Sequence, residues 1–274
     1  MNILKRVVRK VKRVVISIAI KIVPLEPALQ KFNKEIKDIL EATPSRIMGN
    51  YYHIEKVINI YNRSFDTSNK GIIVDIGAAS GATLKIFATQ FPDKEIYGFE
   101  PIKSNFKILE KLKDTYPNMH LVNKAVGDTC GELDIHKSKL LDSSSLLPIN
   151  PSINNAYFKE NIKHVDSEQV KLTTLDHEFE PIKNISILKI DVQGYELKVL
   201  KGGENLLQKV ELIILEAQNH GLYENAPMYF DLDIYLREHG FTLHDIIPSI
   251  HQEGKLYEWD AIYINRNLQT GIDD

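Results

Sequence analysis

The feature that most constrains this fold is a ten-residue stretch, residues 72–81, which runs IIVDIGAASG. Its β-branched first half is typical of a buried strand, and Gly77 and Gly81 allow a tight turn that a Cβ would obstruct. A helix-like segment from about Ala82 to Gln90 follows. Strand, small-residue loop and helix begin many nucleotide-binding α/β domains, whose ligand approaches the loop backbone. The alternative is a strand–turn–helix unit that binds no ligand.

The spacing within the loop separates two classes of ligand. A dinucleotide fingerprint needs G-x-G-x-x-G, so that a pyrophosphate can lie on the helix N-terminus. Here the glycines are four positions apart, position 79 is Ala, and Asp75 ends the strand with a carboxylate that would repel pyrophosphate. S-adenosylmethionine carries an ammonium and a sulfonium group, so it fits this arrangement better. The candidate cofactor contacts in this stretch are Asp75, Gly77, Ala78, Ser80 and Gly81.

Two further strand ends supply candidate contacts. The run Glu95–Phe99 predicts a second strand that ends in Glu100-Pro101, about 20 residues beyond the glycine loop. A carboxylate there can accept hydrogen bonds from the ribose hydroxyls of a nucleoside. Proline is tolerated in a first helical turn, so a helix from about Ile102 to Thr115 is expected next.

A third strand is predicted at Met119–Asn123, and small residues follow it as far as Asp128. Such an edge suits a flat adenine that lies against backbone, with Asn123 or Asp128 at its polar side. The cofactor candidates added by the second and third strand ends are Glu100, Pro101, Asn123, Ala125 and Asp128.

The second half of the chain repeats the alternation of strands and helices. A buried strand is predicted at Ile185–Val192, with Asp191 near its carboxyl end, and a helix from about Tyr195 to Leu207. The next strand, Glu211–Gln218, has Glu216 near its end, with His220 just beyond.

The remaining predicted elements complete the fold. They are strands at Gly131–Ser138, Val170–Leu175, Phe241–Ile247 and Trp259–Asn265, a long loop over 141–166, and a helix at Met228–Glu238. We expect an α/β fold: a doubly wound, mostly parallel, seven-stranded Rossmann-like sheet with an antiparallel last strand, plus N-terminal helices.

The N-terminal segment differs in character from the rest. Residues 1–25 hold seven basic and no acidic residues, and their apolar side chains recur with helical periodicity. This pattern predicts a basic amphipathic helix that contacts an anionic membrane surface through residues 1–23, or one that docks on protein. The expected organisation is this helix over 1–25, a helical lead-in over 26–69 and the α/β domain over 70–268.

Charge and cysteine content limit the expected binding partners and cellular location. The net charge is −3, so the chain beyond residue 25, without those seven positive charges, carries −10, which argues against a nucleic-acid partner. A single cysteine, Cys130, cannot form an internal disulfide, and no apolar run is long enough for a spanning helix. A cytoplasmic protein is expected, peripheral at the inner face of a membrane if the N-terminal helix binds there. No Cys/His cluster has zinc spacing, so no metal site is predicted.

Several stretches together resemble one enzyme family. Val74–Gly81 with Phe99–Pro101 looks like the cofactor half of a class I S-adenosylmethionine-dependent methyltransferase. The stretches similar to the FkbM family of methyltransferases are Asn123–Asp128, Ser143–Leu146, Thr174–Asp176, Leu188–Glu196 and Val199–Gly202. The most specific is LKIDVQGYE at 188–196, in which members show Glu or Gln at the position of Gln193. The resemblance covers roughly residues 70–266, and Ala79 departs from the glycine that many class I enzymes carry.

The resemblance implies O-methylation of a hydroxyl on a sugar, glycan or secondary metabolite, with S-adenosylmethionine as the cofactor. A hydroxyl is a poor nucleophile until its proton leaves, so a base or a metal is expected. Asp191 is the first candidate, because its strand should adjoin the cofactor strand, and it is alternatively a cap of the next helix. Glu216 and His220 are the other catalytic candidates. Two carboxylates supply only half of a metal site.

Two other functions stay open at this point. One is an NAD(P)-dependent oxidoreductase, which the misplaced glycines and the lack of a T/S-x-x-x-Y-x-x-x-K pair disfavour. The other is a non-catalytic, membrane-associated adapter on a methyltransferase fold.

Overall fold

The computed structural model describes residues 44–138, 143–152, 164–181, 184–252 and 254–270. The helices are α1 Pro44–Ser64, α2 Ala82–Gln90, α3 Lys103–Glu110, α4 Leu175–Phe179, α5 Glu196–Lys201, α6 Glu204–Leu207 and α7 Tyr229–Glu238. The strands are β1 Ile72–Ile76, β2 Ile96–Phe99, β3 Met119–Val122, β4 Ala125–Val126, β5 Gly131–Ser138, β6 His164–Thr173, β7 Ile185–Ile190, β8 Val210–Gln218, β9 Phe241–Gln252 and β10 Lys255–Asn265.

The N-terminal predictions fall largely outside these ranges. The helix expected over 1–25 lies outside the described residues, as does the lead-in as far as residue 43. The described residues from Asn50 onward belong to one compact unit. Among the described helices, none is both long enough and apolar enough to cross a membrane.

Seven strands form the main sheet, in the order β3-β2-β1-β7-β8-β10-β9. The neighbours from β3 to β8 are parallel, and β10 is antiparallel to both β8 and β9. This confirms the predicted doubly wound sheet with its antiparallel last strand. The carboxyl ends of β1, β2, β3, β7 and β8 therefore meet at one edge, which the first half of β10 also reaches.

The apolar runs are buried because both faces of the sheet are covered. All five residues of β1 are buried, and β7 is buried at every position except Lys189. Side chains such as Val74 and Leu188 enter one core, whereas Ile73 and Ile187 enter the other. This alternation explains why the central strands are continuously hydrophobic rather than amphipathic.

A smaller sheet, β4-β6-β5, lies outside the main one. Its middle strand begins at His164 and ends at Thr173, so the strand expected at Val170–Leu175 starts earlier and stops sooner. The Thr174 hydroxyl accepts a hydrogen bond from the main-chain N–H of His177, which begins α4 at Leu175.

The helix expected from Tyr195 to Leu207 is divided into α5 and α6 by Gly202-Gly203. A Cβ at position 202 would lie 1.8 Å from the carbonyl oxygen of Gly127, so only glycine permits this contact. Two stretches that resemble the same family are thus packed against each other.

Candidate active site

The loop after β1 turns sharply because three of its residues are left-handed. Gly77, Ala79 and Gly81 have φ angles of 86°, 46° and 77°. Alanine is uncommon in this region, which accounts for the glycine that many class I enzymes carry at the position of Ala79. The same loop leaves Ser80 exposed at the start of α2.

The main-chain N–H groups of this loop are largely used within the protein. Those of Gly77 and Ala78 donate to the carbonyl of Phe99, at 3.0 and 2.9 Å, and that of Gly81 donates to Ala78. The N–H of Ala79 donates to the carboxylate of Glu100 at 2.9 Å. A pyrophosphate cradle needs such groups free, so the geometry argues against a dinucleotide.

Glu100 lies at the end of β2 and is almost fully buried. One carboxylate oxygen accepts from Ala79, and the other accepts from the main-chain N–H of Ile102 at 2.8 Å. Burial raises the pKa of Glu100 to about 7, against the lowering effect of these hydrogen bonds. The Oε1 atom also accepts from the side-chain amide of Asn105 at 3.4 Å, so Oε2 is the oxygen that retains an acceptor position for a ligand hydroxyl.

The three cofactor-binding candidates that follow β3 lie in three different environments. The amide nitrogen of Asn123 donates to the carbonyls of Glu100 and Pro101, at 2.8 and 2.9 Å, and so fixes the end of β2. Ala125 lies in β4, and its side chain belongs to the core beneath the small sheet. The carboxylate of Asp128 pairs with Lys198 at 2.6 Å. Their part in cofactor binding stays a prediction.

A buried ion-pair chain joins β1 to β7. Asp75 lies beside Lys189 in the parallel register, and the lysine Nζ is 3.2 Å from Asp75 Oδ1 and 3.3 Å from Asp191 Oδ2. The side chains of Asp75, Lys189 and Asp191 are 0%, 11% and 36% exposed. Asp75 is therefore shielded from solvent, with Lys189 as its charged neighbour. The carboxylate of Asp191 is partly exposed to solvent.

The ion-pair chain contains one lysine and two carboxylates, so the positive charge does not balance the negative charges. Burial alone would lower the pKa of Lys189, but the carboxylates of Asp191, Asp75 and Asp260 outweigh it and raise that pKa, so the lysine is cationic. Burial raises the pKa of Asp75, although Lys189 opposes the shift.

Glu216 lies next to Asp191, at the end of β8. The side-chain amide of Gln193 donates to Asp191 at 3.2 Å and to Glu216 at 2.7 Å. Burial, followed by the charges of Glu258 and Asp191, raises the pKa of Glu216 well above its usual range. The two carboxyl groups therefore differ: Asp191 has a cationic neighbour, whereas Glu216 is surrounded by other carboxylates.

His220 is placed apart from these carboxyl groups. It is exposed, and its ring centroid lies 4.6 Å from that of Tyr257. Among the contacts of the described residues, none joins His220 to Asp191 or Glu216. The structure thus joins Asp191 to Glu216 through Gln193 and places the main chain of Asp191 against the glycine loop, whereas His220 lies apart from both carboxyl groups.

Four residues of this region were missed by the sequence analysis as site residues: Lys189, Gln193, Tyr223 and Asp260. The hydroxyl of Tyr223 donates to Gln193 at 2.8 Å, and His53 contacts Asp260 at 2.6 Å. The alternation of side chains along a strand was the available signal, because Lys189 lies two positions before Asp191 and so points to the same side of the sheet. Within the described ranges, no three His, Cys, Asp or Glu side chains are arranged to hold a metal ion.

Gly77 ties the loop to Asp191, which leads to a first prediction. A Cβ at position 77 would lie 1.9 Å from the carbonyl oxygen of Asp191, so Gly77→Ala should displace the end of β7. We expect it to destabilise the protein by about 3 kcal/mol or more in urea unfolding.

The control is Gly254→Ala, since Gly254 has a similar φ of 76° but nothing within 4 Å of the added Cβ. It should show only the backbone strain, about 1–2 kcal/mol. Equal losses in the two variants would contradict the close approach of Gly77 to Asp191.

Comparison with known proteins identifies the family. The model of the methyltransferase FkbM domain matches residues 75–243, which span the loop, Glu100, the ion-pair chain and Glu216. The chain belongs to the methyltransferase FkbM family. It is 25% identical over 170 residues to the 2-O-methyltransferase NoeI of Sinorhizobium fredii, covering 60% of this chain and 70% of that protein. It is 24% identical over 229 residues to the methyltransferase sdnD of Sordaria araneosa, covering 70% and 86%.

A crystal structure of methyltransferase FkbM from Methylobacillus flagellatus is similar to this chain, with 17% identity and a TM-score of 0.44. The match covers 71% of this chain and 43% of that chain. The family match confirms the resemblance that the sequence stretches of this FkbM-family methyltransferase predicted.

Proposed function

We propose that this FkbM-family protein transfers a methyl group from S-adenosylmethionine to a hydroxyl of a sugar, glycan or secondary metabolite. The observation that carries the proposal is the contact between the glycine loop and Asp191. The main-chain N–H of Asp191 donates to the carbonyl of Ile76 at 3.0 Å, and Gly77 packs against the carbonyl of Asp191. The predicted cofactor loop and a partly exposed carboxylate therefore adjoin each other.

The cofactor side of the site suits a cationic nucleoside. Glu100 offers carboxylate acceptors at the turn of the loop, where ribose hydroxyls can donate. Most of the loop N–H groups are already bonded, which disfavours the phosphates of NAD(P). S-adenosylmethionine, when bound, supplies a methyl group on a positively charged sulfur. The backbone of 77–81 and the side chain of Glu100 are the groups that would hold it.

On the acceptor side, Asp191 is the proposed general base. Its side chain is 36% exposed, and an ionised carboxylate can take the proton of an acceptor hydroxyl. Glu216 is the weaker candidate, because burial and the neighbouring carboxylates raise its pKa well above the usual range and so disfavour the ionised form that a base needs. The name of the relative NoeI, a 2-O-methyltransferase, supports a hydroxyl acceptor.

Calorimetry with S-adenosylmethionine and with NAD tests the cofactor. We expect binding of the first alone, and Glu100→Ala should weaken it by about 10- to 100-fold, the value of one or two hydrogen bonds to a charged group. Affinity should fall between about pH 8 and pH 6, because the pKa of Glu100 is about 7 and protonation removes acceptors. That pH dependence should disappear in Glu100→Ala.

The control is Glu95→Ala, which removes an exposed carboxylate just before the amino end of the same strand. It should bind S-adenosylmethionine as the wild type does. Binding of NAD, or unchanged binding of S-adenosylmethionine by Glu100→Ala, would refute the cofactor assignment.

Labelled S-adenosylmethionine identifies the acceptor. Incubation with fractionated cell glycans, lipids and small metabolites should transfer label to a hydroxyl-bearing fraction. Cofactor binding without transfer to any fraction would favour the non-catalytic adapter instead.

A further inference from the structure

Gln193 occupies the turn between β7 and α5 and makes side-chain contacts in three directions. Each hydrogen of its amide NH₂ goes to a different carboxylate, at 3.2 Å to Asp191 and 2.7 Å to Glu216. Its amide oxygen accepts from the buried hydroxyl of Tyr223 at 2.8 Å. Both donor hydrogens and the acceptor oxygen of the side chain are thus engaged, and an amide can donate twice and accept at the same time in this position.

The main chain of Gln193 fastens a further segment. Its carbonyl accepts from the hydroxyl of Ser145 at 2.6 Å, and that hydroxyl accepts in turn from the N–H of Leu147 at 3.0 Å. The segment 143–147 lies on one side of this turn, and Tyr223 connects the other side to the loop after β8. The segment 143–147 and the loop after β8, which are distant in sequence, are therefore both hydrogen-bonded to Gln193.

The backbone of Gln193 is left-handed, with a φ of 56°, and the residue is 8% exposed. Side chains other than Gly, Asn and Asp rarely adopt this conformation, so the surrounding contacts must hold it. A glycine would satisfy the turn without strain but would supply no amide. In this chain the three side-chain contacts of the glutamine thus accompany a strained backbone that a glycine would not have.

We propose that Gln193 is a positioning residue: its amide holds Asp191 and Glu216 at a fixed separation, and its main chain fastens the segment 143–147 to the same turn. The proposal rests on the proposed function, in which Asp191 meets the acceptor. Without the amide, two carboxyl groups would face each other with no donor between them, and Asp191 would lose its orientation toward the acceptor.

The variants Gln193→Glu and Gln193→Met separate hydrogen bonding from space filling, because both side chains are close to glutamine in length. Gln193 directly contacts Asp191, Glu216 on β8 and Tyr223 in the loop after it. The charged groups that act on Glu216, Tyr223 or the cation Lys189 include Asp191 and Glu196 on the segment of Gln193 and Glu258 and Asp260 on β10. A new carboxyl group in these surroundings should be protonated at about pH 5 and ionised only at higher pH.

We expect Gln193→Glu to melt close to the wild type at about pH 5, where its protonated carboxyl still donates one hydrogen bond. At about pH 8.5 it should melt several degrees lower relative to the wild type, because the ionised group donates none and repels its neighbours. Gln193→Met should lose stability at both pH values. A deficit of Gln193→Glu that does not change with pH would overturn the proposal, and this measurement needs no acceptor.

Turnover supplies the second readout. Gln193→Met should bind S-adenosylmethionine within about twofold of the wild type and should lose about 10- to 100-fold in kcat, the effect of a misplaced reacting group. Wild-type kcat in Gln193→Met would contradict positioning. Retained turnover in Asp191→Asn would instead count against the proposed base, so the two failures are distinguishable.

Hydrogen exchange tests the main-chain contact. Ser145→Ala removes the donor to Gln193, so the amide of Gly194 should exchange about tenfold faster. The matched control is Ser144→Ala, because the Ser144 hydroxyl accepts from the N–H of Ser138 instead. Equal exchange at Gly194 in the two variants would refute the fastening of 143–147 through Gln193.

Discussion

Replacing Lys189 by methionine is expected to destabilise the folded protein by about 3–5 kcal/mol, the cost of leaving a buried charge without its partner. Asp75 is 0% exposed, and Lys189 is its ion-pair partner at 3.2 Å. Methionine keeps most of the volume of the lysine stem, so the loss reports on charge rather than on packing. Urea unfolding at neutral pH measures it.

The double variant Lys189→Met/Asp75→Asn is the decisive control. It removes the buried carboxylate as well, so it should recover most of the lost stability. Lys198→Met is a matched surface control, since Lys198 is 51% exposed in its pair with Asp128, and it should change stability by about 1 kcal/mol or less. If the double variant is no more stable than Lys189→Met, the pairing with Asp75 is not what stabilises the protein.

The deficit of Lys189→Met should also depend on pH. Burial raises the pKa of Asp75, and removal of the lysine takes away the attraction that opposes the rise. A carboxyl group with a raised pKa holds a proton in the folded state that the unfolded state releases, so stability falls as the pH rises above about 4. The deficit should therefore be smallest in acid and grow toward neutral pH.

Asp191→Asn is expected to bind S-adenosylmethionine with wild-type affinity and to lose about 10²- to 10⁴-fold in methyl transfer, the usual contribution of a general base. Asparagine keeps the shape of the side chain and one acceptor oxygen but cannot take a proton at neutral pH. The measurement is release of S-adenosylhomocysteine with the acceptor fraction found by labelling, together with calorimetry for the cofactor.

Asp245→Asn is the control for this variant, because Asp245 lies on the outer strand β9 and pairs with Lys56 at 2.6 Å. It should leave both affinity and turnover unchanged. Full activity in Asp191→Asn, combined with loss of activity in Glu216→Gln or His220→Ala, would transfer the role of base to the second residue.

The sheet could be predicted because buried parallel strands are short, continuously apolar and separated by helices. The helix Ala82–Gln90 is found at its predicted bounds, between a glycine turn and the residue Phe91. The ends of strands that are set by tertiary contacts were harder to predict from the sequence. The strand β6 begins at His164, within a stretch expected as loop, because it pairs with β5 rather than because its own sequence alternates.

The site could be predicted at the level of strand ends but not of side-chain partners. Asp75, Glu100, Asp191 and Glu216 follow from placing each carboxylate at the end of its strand. That Lys189 faces Asp75 follows from the register of β1 against β7, two strands far apart in sequence. The contacts of Gln193 depend on a left-handed turn and on Tyr223. Neither of these produces a periodic pattern in the sequence from which it could be predicted.

The order of the strands has a consequence for synthesis. One side of β1 pairs with β2 at once, but its other side pairs with β7, which leaves the ribosome only after β2–β6 and their helices. Until then, β1 presents an unpaired apolar edge that can recruit other strands. A nascent chain that stalls before residue 185 should therefore be prone to aggregate, and the contact of the glycine loop with Asp191 can form only once the second half of the chain is made.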